Sequence, residues 1–191
     1  FWVLQELQNS KVDRIIVATD SQKINSIVAQ FNFSKVEMYQ RKKENAADDA
    51  STESVILEYI DQSMLLASDL FMLVQVTSPF TKVEHFNGGL DLMKVYDSVL
   101  SCTIAKRFVW KEDGIALNYD INKRPRRQEY KGDLIENGAF YISTVKDITT
   151  TKNRISGNIG IYNMPSHASV ELDEPLDWLV GEQIMKNVVL K

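Results

Sequence analysis

Two carboxylates one residue apart, Glu171 and Asp173, are the most direct candidates for chemistry in this sequence. In an extended backbone alternate side chains share a face, so the pair would suit a hard cation such as Mg²⁺. Acidic residues just ahead of a helix also act as caps, and the same two residues read that way as well. A second concentration of charge is Lys123-Arg124-Pro125-Arg126-Arg127-Gln128. Arginine presents a planar fork of donors, so this run reads as an anion clamp for phosphate or carboxylate. It reads equally as a solvated basic patch or a nuclear import tag. Asn137-Gly138-Ala139-Phe140-Tyr141 follows closely, and its glycine either lets a ligand approach the backbone or marks a bulge. His85 and His167 lie far apart with no arrangement that would make a triad, and neither is assigned a catalytic role. Cys102, inside an apolar run, reads as a small buried hydrophobe.

The elements that must position these residues are legible from periodicity. Residues 14–19 form a β-branched run that predicts a buried strand. A helix with Ile24, Ile27, Val28 and Phe31 on one face follows, capped by Asp20 or Ser21. A brief strand over 35–39 and a polar loop over 40–50 lead to a helix carrying Val55, Ile56, Tyr59 and Ile60, with Asp49 and Ser51 as candidate caps. Residues 70–76 predict a central strand that stops at Thr77-Ser78-Pro79. Val83, Phe86, Leu90 and Met93 space as a helix, and 98–104 as a strand. Then the rhythm breaks into a hairpin around Glu112-Asp113-Gly114, strands at 139–143 and 160–163, and a last helix near Asp173-Glu174-Pro175. Alternation of this kind implies one α/β domain with a mixed, mostly parallel sheet and helices on both faces. Ligands of such sheets gather at the carboxyl ends of strands, where Thr19-Asp20, the stretch from Gln75 to Ser78, and the Glu171 and Asp173 pair all fall. The first seven residues read as a helix already under way, with no N-cap, which predicts that a segment precedes them.

Composition removes several classes. The 191 residues are 44% hydrophobic and 25% charged, ordinary for one folded domain and unlike a disordered chain. With 22 basic against 26 acidic residues the net charge is -4, which opposes nucleic-acid binding. A single cysteine cannot form an internal disulfide or a thiolate-rich zinc site, and it suits a reducing compartment. The apolar stretches are too short to cross a bilayer. A cytoplasmic location is expected, or a nuclear one if the source is an animal.

Taken in order, these segments resemble the acylneuraminate cytidylyltransferase family, which makes CMP-sialic acid. Ile16 to Asp20 looks like the family's strand ending in Ser-Thr-Asp, and Asp49-Ala50-Ser51-Thr52 like its Asp-x-x-Thr/Ser loop. Val74-Gln75-Val76-Thr77-Ser78-Pro79 resembles the Leu-Gln-x-Thr-Ser-Pro signature. Lys123 to Gln128 followed by Glu136 to Tyr141 is similar to the animal-type pattern, and Ser169-Val170-Glu171-Leu172-Asp173 to the Ser-x-Asp-x-Asp metal motif. The resemblance implies a three-layer, Rossmann-like fold of the nucleotide-diphospho-sugar-transferase type spanning residues 1–191. It implies transfer of CMP from CTP to a nine-carbon α-keto acid sugar, with Mg²⁺ and a homodimer. By position, Glu171 and Asp173 would hold the metal, and Arg127 would join them in catalysis and meet the sugar's carboxylate or acyl side. Gln75, Asn137 and Tyr141 would line the sugar pocket, and Lys42, Asp49 and Ser51 would meet the cytidine. Three departures stand out. The glycine-rich cationic loop of the family's N-terminus is absent, Glu171 replaces an aspartate, and Asn153-Arg154-Ile155 lacks an aromatic pair found in some bacterial members. Related reactions on deaminated sialic, legionaminic or octulosonic acids, or a non-catalytic use of the fold, are the alternatives.

Overall fold

The computed structural model describes residues 1–47 and 50–189. Its first helix, Trp2–Gln8 (α1), turns Val3 and Leu7 inward, as the opening apolar spacing predicts. Strand Ile15–Ala18 (β1) pairs in parallel with Val36–Tyr39 (β2), and helix Gln22–Ala29 (α2) connects them. Ser21 caps α2 by accepting the Ile24 N–H. The expected apolar face of α2 is not buried: Ile24 and Ile27 are 45% and 44% exposed, and only Val28 reaches the core.

Helix Thr52–Gln62 (α3), capped by Ser51, leads to strand Leu70–Val74 (β3), and helix Val83–Leu92 (α4) to strand Ser98–Ala105 (β4). The second half supplies strand Asp133–Thr144 (β5), helix Val145–Thr151 (α5), strand Ile159–Met164 (β6) and helix Pro175–Ile184 (α6). The larger sheet has the order β3-β5-β4-β6. β5 runs antiparallel to both β3 and β4, whereas β6 runs parallel to β4. Thus β3, β4 and β6 point one way and β5 alone opposes them. The reason lies in the connection: residues 106–132 return the chain without a crossover helix, so the next strand must pair antiparallel.

Two expectations need correction. β3 is not central but lies at an edge of its sheet, and its apolar side chains are mostly half-buried. The hairpin around Gly114 closes with one bridge, Trp110 to Ala116, instead of two strands. Beside it Phe108 stacks with Tyr119 and Tyr130, and the Arg124 guanidinium lies 4.7 Å from the Phe108 ring centre. The pair β1-β2 forms a separate small sheet. Helix α3 bridges the two sheets, because the Tyr59 ring meets Tyr39 of β2 at 5.0 Å and Phe71 of β3 at 6.4 Å.

The main core lies where α1 and α4 cover one face of the larger sheet. Phe86, Val99, Phe140 and Ile142 are fully enclosed there, each contributing roughly 1.5–3 kcal/mol by burial. Gly88 and Gly89 let α4 sit directly on Tyr162 and Phe140, since a Cβ at either position would collide with those rings. Glu6 of α1 accepts from Lys82 Nζ at 2.9 Å and from the Val83 N–H, tying α1 to the start of α4. Tyr141 points to the opposite face, with Leu100 and Cys102, toward α3. No helix among the described residues is long and apolar enough to cross a membrane.

Candidate active site

The site is built on a break in the β4–β5 ladder. Pairing runs from Ser98 opposite Ser143 to Leu100 opposite Tyr141, and resumes at Cys102 opposite Glu136. Residues 137–140 therefore stand against Ser101 alone and must bulge. Gly138 takes φ +63 within the bulge, a left-handed conformation that glycine adopts without steric cost. Ser101 repairs the ladder from its side chain, accepting the Phe140 N–H at 3.0 Å and donating to the Phe140 carbonyl at 3.2 Å. The bulge reading of this glycine holds, and the bulge also lets two side chains come close. A Cβ on Gly138 would strike the Gln75 carboxamide and lie 3.1 Å from Glu171 Oε2.

Three hydrogen bonds bring those groups together. Leu172 N–H donates to the Thr77 carbonyl at 2.8 Å, drawing the 171–173 segment against the end of β3. Ser78 Oγ donates to the Asn137 carbonyl at 3.2 Å, and Asn137 Nδ2 donates to the Ala168 carbonyl at 2.9 Å. Asn137 is 1% exposed; its Nδ2 holds the turn that precedes Glu171, and its Oδ1 is buried without a hydrogen-bond partner among the described residues. Of the sequence-predicted residues, Gln75 and Glu171 thus converge at Gly138, and Asn137 lies beneath them as a brace.

Glu171 titrates above the usual carboxylate range, first because it is partly buried and then because Asp173 and Asp177 repel its charge. Asp173 itself is exposed, and its carboxylate has no hydrogen-bond partner among the described residues. The capping work at α6 is done by Asp177, whose Oδ2 accepts the N–H groups of Asp173 at 3.1 Å and Glu174 at 2.8 Å. Glu171 and Asp173 therefore form an acidic pair without a basic partner, an arrangement a divalent cation would satisfy. No group of three or more His, Cys, Asp or Glu side chains close enough to hold a metal occurs among the described residues. Two protein carboxylates, with the remaining positions left to phosphate and water, match what Mg²⁺ accepts.

On the other side of the bulge Tyr141 is 8% exposed, and its hydroxyl donates to Glu136 Oε2 at 2.8 Å. Burial and that carboxylate together push the phenol upward. The Arg154 guanidinium lies 5.1 Å from the Tyr141 ring centre, and its Nε donates to Glu53 Oε1 at 2.6 Å. Burial also pushes the Cys102 thiol up to about 11, so it stays protonated, as a buried hydrophobe should.

Of the expected cytidine contacts, Lys42 follows β2 and Ser51 precedes α3. Lys42 is exposed, and Ser51 uses its hydroxyl to accept the Ser54 N–H at 3.1 Å as the cap of α3. Asp49 lies outside the described residues. The loop over 40–47 is organised by a residue that sequence reasoning passed over, Glu58. Its buried carboxylate accepts the Tyr39 hydroxyl at 2.6 Å, the Lys42 N–H at 3.0 Å and the Asn45 amide. Burial would raise it, yet these donors together hold it below the ordinary range. Nearby, Arg41 pairs with Asp20 at 2.6 Å.

Arg127 is exposed, and no hydrogen bond or ion pair joins it to Gln75, Tyr141 or Glu171 among the described residues. His85 is buried and accepts the Lys82 N–H through Nδ1 at 3.1 Å, and His167 packs edge-on to Phe80. Neither enters the site. Besides Glu58, sequence reasoning missed Glu53 and Glu136, and it noted Arg154 only as part of a departure. Nothing in local spacing joins Arg154 to Glu53, which are 101 positions apart.

The mixed α/β sheet thus brings Gln75 and Glu171 together at the end of β3. Solved structures share the fold. A 4-diphosphocytidyl-2C-methyl-D-erythritol synthase from Anaerococcus prevotii matches 97% of this chain and 84% of its own, with a TM-score of 0.71 at 12% identity. HddC from Yersinia pseudotuberculosis matches 93% of this chain and 81% of its own, with a TM-score of 0.58 at 14% identity. The chain belongs to the cytidylyltransferase family, whose model matches residues 1–174. It is 31% identical to the N-acylneuraminate cytidylyltransferase B of Danio rerio over 95% of this chain and 44% of that protein. It is 29% identical to the CMP-N,N'-diacetyllegionaminic acid synthase of Legionella pneumophila over 96% of this chain and 83% of that protein. The chain thus spans less than half the length of the zebrafish relative.

Proposed function

We propose that residues 1–191 are a single cytidylyltransferase domain that activates a sialic-acid-type sugar with CTP. The 2-hydroxyl of the α-keto acid sugar attacks the α-phosphorus of CTP, the P–O bond to the β-phosphate breaks, and CMP-sugar and pyrophosphate result. The observation that carries this reading is the convergence of Gln75 and Glu171 on the Gly138 bulge, in a chain of this family. Gln75 orients the sugar, Tyr141 walls its pocket, and Glu171 with Asp173 would hold Mg²⁺. When bound, that ion supplies charge neutralisation of the triphosphate and polarisation of the attacked phosphorus. Arg127 meets the sugar's carboxylate or acyl side, and Lys42, Asp49 and Ser51 border the cytidine.

The sugar is N-acetylneuraminate or a near relative, a range the names of the zebrafish and Legionella proteins also span. The separation of β1-β2 from the larger sheet, with no strand pairing between them among the described residues, supports a further strand and its phosphate-binding loop lying between β1 and β3. The apolar arm around the β4–β5 return, with Ile104, Trp110, Ile115, Leu117 and Ile135 exposed, supports a homodimer. The lone buried cysteine and the exposed basic run suit the cytoplasm, or the nucleus of an animal cell.

The test is pyrophosphate release by the full-length protein supplied with CTP, Mg²⁺ and N-acetylneuraminate, set against deaminated, legionaminic and octulosonic acids. Release that depends on CTP and on one of these acids is expected. Its absence with all of them would leave a non-catalytic use of the fold.

A further inference from the structure

Arg154 is held in a way that leaves its working end free. The guanidinium is anchored through Nε alone to Glu53, and both side chains are about three-quarters buried. Its Cζ lies over the Tyr141 ring, 5.1 Å from the ring centre. Among the described residues, the two Nη nitrogens have no hydrogen-bond partner. A guanidinium spent on structure would usually take its carboxylate in a two-pronged grip. Here a single bond from Nε reaches Glu53.

The surroundings say what the fork is for. Glu136 lies on the far side of Tyr141, receiving its hydroxyl, and the charge of Glu171 is felt at the same phenol. Tyr141 pairs opposite Leu73, two residues before Gln75, so Arg154 on its ring lies on the sheet face that leads to the Gln75–Glu171 convergence. That face carries three carboxylates, Glu53, Glu136 and Glu171, and Arg154 is bonded to the first of them. An acidic substrate there meets those carboxylates, and the Arg154 fork opposes their repulsion. A neutral hydroxyl would not need such a group, whereas a planar carboxylate matches two parallel N–H donors.

The geometry points to Arg154 as a specificity-determining residue that reads the C1 carboxylate of the sugar acid, with Glu53 and Tyr141 positioning its guanidinium. This rests on the keto-acid cytidylyltransferase reading and deepens it, for it adds to Arg127 a cation already built into the pocket. The carboxylate sits beside the 2-hydroxyl that attacks phosphorus, so gripping it also aims the nucleophile.

The experiment compares N-acetylneuraminic acid with its C1 methyl ester, using the full-length protein and isothermal titration beside steady-state kinetics. The native protein should bind the acid about tenfold or more tightly than the ester, the effect of one well-formed charged contact. Arg154→Gln should erase that preference by weakening the acid alone, raising its KM about tenfold while the KM for CTP stays put. Arg154→Lys, which keeps the charge but loses the fork, should fall between, and it serves if the glutamine variant folds poorly. Glu53→Gln should weaken the acid by a few-fold and leave the ester as it was. A native protein that turns over the acid, with variants that keep the full acid-over-ester preference or lose both ligands equally, overturns the assignment of Arg154. A native protein that neither binds nor turns over any keto-acid sugar overturns the functional reading itself.

Discussion

The Leu172 N–H donates to the carbonyl of Thr77 at 2.8 Å, and through that bond the segment bearing Glu171 is carried to the strand end bearing Gln75. The two residues are far apart in sequence, so the candidate site exists only once β3, the β5 bulge and the turn before α6 have docked. Gly138 is the point on which they close.

Gly138→Ala tests that closure. The new Cβ would meet the Gln75 carboxamide, and φ +63 would become a strained conformation. A loss of about 1–3 kcal/mol in stability is expected, with a rise in KM for the sugar as Gln75 swings aside. Chemical denaturation and kinetics on the same variant would read both. An unchanged KM would detach Gln75 from substrate.

Glu171 offers a pH signature. Burial, and then Asp173 and Asp177, oppose its ionisation, so its folded pKa lies above the unfolded one. Its contribution therefore favours the fold below the unfolded carboxylate range and is lost as pH rises through the raised value. Glu171→Gln should accordingly melt at a higher temperature than the native protein at pH 7, and the gap should narrow toward pH 4. Mg²⁺ should raise the melting temperature of the native protein and leave the variant where it was. An equal rise in both would remove Glu171 from the metal site.

Asp173→Asn separates ligand from cap. Because Asp177 does the capping, the substitution should leave the melting temperature nearly unchanged while turnover falls by two orders of magnitude or more, about 3 kcal/mol of transition-state stabilisation. A loss of stability of about 1 kcal/mol with full turnover would be the behaviour of a cap.

Arg127→Ala against Lys123→Ala distinguishes a directed contact from a charged surface. The first should raise the KM for the sugar or lower kcat sharply, by about tenfold or more. Lys123, exposed at the end of the short turn Ile121–Lys123, should behave as an ordinary surface charge. Equal, modest effects that fade together with added salt would show a diffuse electrostatic patch instead.

Much of the fold was legible because it rests on local patterns. Apolar periodicity and caps such as Ser21 and Ser51 located most strands and helices within a few residues, though β5 begins well before the expected 139–143 and α5 was not expected; the Thr77-Ser78-Pro79 stop lies just beyond the end of β3. The edge position of β3 was not legible, since a run of five apolar residues reads the same whether or not a neighbour pairs with it. The exposure of Ile24 and Ile27 was hidden for the same reason: periodicity says that a helix has an apolar face, not what covers it.

The candidate site divides along the same line. By itself the sequence determined the residue types on offer, Gln75 at a strand end, Glu171 and Asp173 one residue apart, a glycine at 138, because each is a matter of neighbours along the chain. Only the tertiary structure decided that Asn137 is a brace, that Glu58 organises the loop over 40–47, and that Glu53 holds Arg154 above Tyr141. Those roles depend on hydrogen bonds between residues tens of positions apart. The direction and length of such bonds are fixed by how strands and helices pack, and no spacing along a chain encodes that directly.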